Sequence, residues 1–209
     1  MSVIKIDPIE LTERENYKLL SGSVIPRPIA WITSKHENGN INIAPFSFFN
    51  MVSSNPPIIA VSIGRKNGQI EKHTAKNILK TNEFVVHLPS NHLLKKMNDS
   101  SAPYSEGVSE VEKIGLTLVN SDVINTPGIK EAKIRLECVL YQSIPLGENG
   151  YIQNDLILGK IVRYHFSEDV YEDGKINAKA LDPIARLAGP NYATLSENIY
   201  LPRPEVADE

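Results

Sequence analysis

The sequence predicts a mainly β fold, an antiparallel barrel or sandwich with few helices, and three observations predict it. Six or seven strand-like stretches outnumber the helical ones. They are mostly close neighbours in sequence, and helices do not alternate regularly with them, which argues against a doubly wound parallel sheet. One of them, Lys133-Ile134-Arg135-Leu136-Glu137-Cys138-Val139-Leu140, alternates polar and apolar residues before turning apolar, as a sheet with one wet face requires.

Taken in order, Leu11 to Leu20 suggests a short helix leading into a Ser21-Gly22-Ser23 turn. Ile29 to Ser34 reads as a buried strand entered through Pro26-Arg27-Pro28, whose prolines fix φ. Glu37-Asn38-Gly39-Asn40 carries hairpin-turn chemistry, because Asn-Gly readily adopts positive φ. A second strand follows from Ile41 to about Asn50, and Pro56-Pro57 breaks the pattern. Ile58 to Ile63 is the next strand, stopped by Gly64.

Between Gln69 and Lys80 the period changes, and Ile70, Thr74, Asn77, Ile78 and Thr81 fall on one helical side. The strand Glu83 to Leu88 ends at Pro89. Ser90 to Ser101 suggests a short helix and Ala102 to Gly107 a loop. Strand patterning returns over 116–119, 132–143 and 155–166. Asp182 suits an N-cap and Pro183 the first position of a last helical turn. The proline-rich Leu201-Pro202-Arg203-Pro204 predicts an extended tail on the surface or on a partner.

At 209 residues the chain suits a single domain with a real core, with a lead-in over about 1–20 and a C-terminal arm over about 180–209. Hydrophobic content of 41% and charged content of 22% exclude wholesale disorder. A net charge of -3 predicts no attraction to nucleic acid or membrane, although a local basic patch can still hold a phosphate. Cys138 is the only cysteine, so neither an intramolecular disulfide nor a cysteine-based zinc site can form. The histidines at 36, 73, 87, 92 and 165 lack metal-ligand spacing, and no metal is expected. The opening MSVIKIDPIE lacks the basic and apolar pattern of a secretory signal, and apolar runs such as Pro57 to Val61 fall far short of a membrane span. A cytoplasmic location is expected.

Common catalytic patterns are missing: there is no GxGxxG, Walker loop, HExxH or GxSxG. His87, inside an apolar strand, reads as a hydrogen-bonded structural histidine, and Cys138 as a small buried hydrophobe. Any reactivity is therefore expected from a bound cofactor. Three segments suit such a role. Ser21 to Trp31 presents Arg27, equally suited to an anion or to a salt bridge at a turn. Asn42 to Pro57 interrupts an aromatic-rich strand with Ser47, Asn50, Ser53, Ser54 and Asn55, matching a flat heteroaromatic ligand or, more blandly, aromatic core packing. In Ser62 to Asn77, Arg65 and Lys66 precede a helix whose first turns carry Thr74 and Asn77, a phosphate-holding arrangement or simply a solvated basic loop.

SGSVIPRPIAWITS, NIAPFSFFNMVSSNPP, KHTAKNI with EFVVHL, and DPIARLAGPNY occur in an order that resembles the flavin reductase-like, FMN-binding split-barrel family, from about Ser21 to Tyr192. The resemblance implies a six-stranded antiparallel Greek-key split β-barrel with peripheral helices, a homodimer with FMN near the subunit interface, and hydride transfer from NADH or NADPH to flavin. It implies that Ala44, Pro45, Phe46 and Ser47 lie along the isoalloxazine, that Ser53 and Ser54 make ribityl and phosphate contacts, and that Arg65, Lys66 and Thr74 hold the phosphate with help from Arg27. Arg186 belongs to a C-terminal arm closing over a flavin site, in the same or the neighbouring subunit. Two positions depart from the family pattern: His73 stands where aspartate is common, and Ala188-Gly189 where Gly-Gly is common. The rival readings are a non-catalytic FMN store or electron carrier, an oxidase of the pyridoxamine-phosphate type, and a pure interaction module. The flavin acceptor and any partner oxygenase have no signature in the sequence.

Overall fold

The computed structural model describes residues 1–67, 69–104 and 109–204. Among these residues seven strands form one antiparallel sheet: β1 (Ala30–Lys35), β2 (Ile41–Phe46), β3 (Phe49–Ser54), β4 (Pro57–Gly64), β5 (Glu83–His87), β6 (Ile134–Glu148) and β7 (Tyr151–Phe166). Their spatial order is β2-β1-β5-β6-β7-β4-β3. Strand β5 returns beside β1 and β7 beside β4, the non-local pairings that a Greek key requires.

Seven strands appear instead of six because the expected strand from Ile41 to Asn50 divides. It leaves the ladder at Ser47-Phe48 and becomes the two edge strands β2 and β3. Among the described residues no ladder joins these edges, so the barrel is split there. The β6–β7 hairpin is longer than the sequence suggests, and it turns at Asn149-Gly150, both at positive φ (53° and 80°). Two consecutive left-handed residues are what a tight hairpin needs to match strand twist, and glycine adopts that region without steric cost.

Strand β1 explains how the core is layered. Its alternate residues serve two clusters, because successive side chains point to opposite faces. Ala30 and Ile32 join Val61, Phe84, Val86 and Ile157 inside the barrel. Ile29 and Trp31 face outward and are covered by Ile43, Leu93, Met97, Val111 and Ile129. Inside, the packing is close: a Cβ at Gly159 would stand 2.4 Å from Cζ of Phe84. Outside, the buried Trp31 indole donates to Ser100 Oγ at 2.9 Å, so its one polar atom is satisfied.

Among the described residues five α-helices surround the sheet: α1 (Glu13–Ser23), α2 (His73–Thr81), α3 (Leu94–Asp99), α4 (Glu110–Lys113) and α5 (Ala178–Leu181). A capping box starts α1: Glu15 N donates to Thr12 Oγ1 at 3.3 Å, and Thr12 N donates to Glu15 Oε2 at 2.9 Å. The helix continues through Ser21-Gly22-Ser23, which is its last turn and not the separate turn expected. Helix α2 starts at His73 and not at Gln69, since Lys66 and Ile70 form a bridge that holds the preceding segment out of the helix. Ala75 and Ile78 then enter the inner cluster.

The expectation at Asp182-Pro183 is reversed. Asp182 ends α5 in the left-handed region (φ 47°), while Asn177 caps its start by accepting from Ala180 N at 3.0 Å. Aspartate serves either end of a helix, and here the asparagine upstream decides which. Ile184–Arg186 then pairs with Arg27–Pro28 on one side and Tyr192–Thr194 on the other, tying the C-terminal arm to the chain before β1. Leu201 to Pro204 lies exposed outside any strand or helix; of the expected loop Ala102 to Gly107, residues 105–107 fall outside the described ones. No described helix is long and apolar enough to cross a membrane.

Candidate functional site

Where β2, the start of α2 and the chain after α3 converge, they enclose a cavity of about 240 Å³. One wall is Ala44, Pro45 and Phe46, at the end of β2. Lys66, Lys72, His73 and Thr74 line it as well. Ser100 to Tyr104, Asn42 and Glu110 complete the lining. An apolar wall facing a cluster of cations and donors is the arrangement a flat ligand with an anionic tail requires.

The basic side has two physical features. Lys72 occupies the N-cap of α2, and its side chain caps nothing, so the helix begins without a side-chain acceptor at its positive end. Burial pushes the Lys72 ammonium below the usual lysine range, and the charge of Lys66 pushes it further the same way. Its nitrogen lies 5.9 Å from the centre of the Phe46 ring. Among the described residues no salt bridge involves Lys66 or Lys72. Two neighbouring cations, one of them desolvated, are what a bound anion would relieve.

Behind this side lies a buried polar chain. One end of the Asn42 amide is 2.9 Å from Thr74 Oγ1 and the other is 3.0 Å from Glu110 Oε1. Glu110 Oε2 accepts from Ile43 N at 3.3 Å. Burial pushes the Glu110 carboxyl up, against the lowering effect of its own backbone N–H and that of Ile43.

Of the residues predicted from sequence, Ala44, Pro45, Phe46, Lys66 and Thr74 meet at the cavity. The others stand elsewhere. Arg27 is buried and spends its guanidinium on backbone carbonyls: Ser21 O at 2.5 Å, Val24 O at 2.7 Å and Leu187 O at 3.0 Å. Its Nε also reaches Ser47 Oγ at 3.4 Å, so Ser47 sits against Arg27 in the link between the two edge strands. Arg27 is thus a clamp between the end of α1 and the C-terminal arm. Arg65 forms a two-point pair with Asp155, at 2.9 Å and 2.6 Å, and also touches Glu71 at 3.4 Å. Hydrogen bonding to Asp155 raises its pKa further, outweighing burial.

Ser53 and Ser54 lie on edge strand β3, half-buried and exposed respectively. Arg186 stacks on Tyr192, 4.5 Å from the ring centre, donates to the Tyr192 hydroxyl, and donates to Gly189 O at 2.7 Å. Tyr192 in turn donates to Asn98 Oδ1 at 3.0 Å. Sequence reasoning missed Asn42, Lys72 and Glu110. Lys72 is the first residue of the KHTAKNI motif itself, whereas Glu110 has no local signal, because only the fold brings it to Asn42.

A second charged cluster, Asp122, Glu137 and His165, could by spacing hold a metal ion. Its centre is already occupied by protein: Glu137 accepts from Asp122 N at 2.7 Å, Val123 N at 2.8 Å and Ile124 N at 3.3 Å, and pairs with His165 Nε2 at 2.5 Å. Burial would raise this carboxyl, but the Asp122, His165 and Val123 hydrogen bonds together hold it below the usual carboxylate range. It anchors a loop to β6.

The model of the flavin reductase like domain matches residues 21–181 of this chain. A protein of Halalkalibacterium halodurans is 42% identical over 205 residues, covering 98% of each chain. The solved structure of nitrilotriacetate monooxygenase component B from Bacillus cereus is 46% identical, with a TM-score of 0.94 over 96% of this chain and 100% of that one. The 2-nitrobenzoate 2-nitroreductase of Pseudomonas fluorescens is 32% identical, with a TM-score of 0.86 over 96% of each. A Shewanella frigidimarina protein with a split barrel domain (TM-score 0.81, 23% identical, 94% and 96% of the two chains) bears on the fold alone, and agrees with it. The chain belongs to the flavin reductase-like family and has its split-barrel fold.

Proposed function

We propose that this protein binds FMN and acts as an NAD(P)H-dependent flavin reductase. The observation that carries the reading is the cavity, which sets the Ala44-Pro45-Phe46 wall against Lys66, Lys72, Thr74 and the uncapped start of α2. These residues fit FMN in kind: the apolar wall suits the ring system, and the lysines, Thr74 and the helix start suit a phosphate. At about 240 Å³ the cavity falls below the roughly 300 Å³ at which small-molecule pockets begin, so it suits one end of the cofactor. When bound, FMN supplies a ring that accepts hydride from NADH or NADPH. The protein's part is to bind, orient and neutralise. Lys66 and Lys72 balance the phosphate charge, and Phe46 and Pro45 exclude water from one face.

A homodimer extends this reading. Leu20, Val24 and Ile25 at the end of α1 are exposed, as are Phe48, Met51 and Val52 on and before edge strand β3, and Tyr17 meets Phe48 with ring centres 6.3 Å apart. Exposed apolar residues along an unpaired strand edge suit a second copy of the chain, which would bring Ser53 and Ser54 to an interface. The likeness to one component of a monooxygenase supports a partner oxygenase as recipient of the reducing equivalents, and the likeness to a nitroreductase supports direct reduction of a small aromatic.

The test is an absorbance spectrum after FMN addition and desalting, followed by anaerobic NADH and NADPH. Retained flavin bands bleached by a nicotinamide are the expected result. Retained bands that neither nicotinamide bleaches would overturn the reductase and leave an electron carrier. No binding in an equilibrium titration would overturn the FMN reading itself.

A further inference from the structure

The chain from Glu110 through Asn42 to Thr74 has a property that its three members lack singly. Each lines the cavity and each is nearly buried, at 5%, 8% and 2% exposure. An amide has a donating end and an accepting end, so what Asn42 offers Thr74 depends on what Glu110 demands of it. An ionised Glu110 is acceptor-only. It draws the Asn42 nitrogen to Oε1, and the Asn42 oxygen then faces Thr74 and accepts its hydroxyl hydrogen. In that arrangement the Asn42 oxygen also lies 3.3 Å from Ile43 N, and Thr74 shows the cavity only lone pairs. A neutral Glu110 has a hydrogen to donate. It can donate to the Asn42 oxygen, which turns the nitrogen to Thr74 at 2.9 Å. The Thr74 hydroxyl hydrogen is then released toward the cavity.

We propose that Glu110 is a positioning residue that couples uptake of one proton to phosphate binding in this cavity, by setting through Asn42 whether Thr74 donates to the anion. The inference rests on the reading of the cavity as the FMN phosphate site. The proton comes from solvent and resides on the Glu110 carboxyl; no covalent bond changes. Burial of that carboxyl, which favours its neutral form, works in the same direction. An arriving phosphate meets Lys66 and Lys72 in either state, but a Thr74 that presents lone pairs repels its oxygens and one that presents a hydrogen binds them.

Other groups bear on the titration. Lys66, Lys72, His73 and Tyr104 share the cavity with Glu110. Its own helix adds Glu112 and Lys113, while β2 brings no titratable side chain. The phosphate itself gains a proton near pH 6. The test must therefore be a difference between variants and not a single pH profile.

The experiment is calorimetric titration of FMN and of riboflavin into the full-length protein, from pH 5.5 to 8.5, in buffers of different ionisation enthalpy. Wild type should take up a measurable fraction of a proton more with FMN than Glu110→Gln does, around the pH where Glu110 ionises. Relative to the variant its FMN affinity should fall by about fivefold in all as Glu110 ionises, the share that the Thr74 donor supplies. Glutamine mimics the neutral acid by donating to Asn42, so E110Q should keep its FMN affinity at high pH. Riboflavin, without the phosphate, should show no such difference. The same difference in a His73→Gln background assigns the proton to Glu110 and not to the histidine. Equal proton uptake by wild type and E110Q, or an equal difference with riboflavin, overturns the proposal while the FMN reading stands. No FMN binding to wild type overturns both.

Discussion

Arg65 and Lys66 are adjacent in sequence, and both read as phosphate holders there, yet they stand in opposite electrostatic situations. Arg65 continues the β4 ladder, donating its backbone N–H to Gln153 O at 2.7 Å, and this register lays its guanidinium on Asp155 of the neighbouring strand. With Glu71 as well, its charge is spent. Lys66 turns out of the ladder into the bridge with Ile70 and, with Lys72, faces the cavity. Arg27 repeats the first case with backbone carbonyls. The lesson is that a cation's availability is set by strand register and not by residue type. The planar, five-donor guanidinium is the side chain most readily satisfied inside a fold.

The largest expected effect breaks the saturated side. Asp155→Ala leaves Arg65 in its place without its two-point partner. Removing one member of a well-buried pair costs about 3 kcal/mol or more, so urea unfolding should show a clear loss of stability. FMN affinity, read at a temperature where the variant is folded, should stay within about twofold, since no hydrogen bond of this pair reaches the cavity. A large loss of affinity with little loss of stability would place Arg65 in the binding site after all.

Lys72→Ala tests the open side and should behave in reverse. Losing one charge-assisted contact costs about 1.5–3 kcal/mol of binding, a weakening of FMN affinity of roughly tenfold to a hundredfold. Stability should hold or rise slightly, because the ammonium is desolvated beside another cation. Unchanged affinity would remove the lysine pair as the phosphate site.

Acid separates the two kinds of site in another way. His87 donates or accepts at both nitrogens, to Trp31 O at 2.7 Å and from Ile129 N at 3.0 Å, and burial, partly opposed by the Trp31 carbonyl, pushes its pKa down to about 3. The unfolded chain binds that proton near pH 6.5, so between about 6.5 and 3 the unfolded state holds more protons and stability falls as pH falls. The slope from this group is about 1.4 kcal/mol per pH unit. Glu137, held below the usual carboxylate range, adds its share below about pH 4.3, lost as pH drops through its lowered folded value. Unfolding curves from pH 7 to 4 should show the slope, and a His87→Gln variant should flatten it. No flattening would mean that His87 is not held neutral in the folded chain.

These contrasts also show what can be read from a one-dimensional pattern. The strands of β1, β4 and β5, the structural role of His87 and the buried Cys138 follow from alternation and apolar content, which the sheet obeys residue by residue. The break at Ser47-Phe48 does not. NIAPFSFFNM reads as one interrupted strand, but its first half pairs with β1 and its second, from the bond that Ser62 N donates to Phe48 O onward, with β4, a segment that follows later. At the site, Ala44 to Phe46 and Thr74 were legible because local motifs carry them. Glu110 was not, since only the fold brings it to the cavity, setting its carboxylate against Ile43 N across 67 residues of chain and against the Asn42 amide.

The smallest effect expected concerns the serine and threonine that the sequence treats alike. Thr74 lines the cavity through Asn42's hydrogen bond, whereas Ser47 lies in the link between the split edges and accepts only a long bond of 3.4 Å from Arg27 Nε. Thr74→Ala removes a donor to the phosphate and should weaken FMN binding by about 1 kcal/mol, roughly fivefold. Ser47→Ala removes a weak contact from an arginine that keeps three carbonyl partners, so affinity should move by less than about twofold and stability by less than about 0.5 kcal/mol. Fluorescence titration of FMN with both variants, beside their melting curves, reads the difference. Equal losses of affinity would return Ser47 to the flavin, and would put the split between β2 and β3 on the binding surface and not beside it.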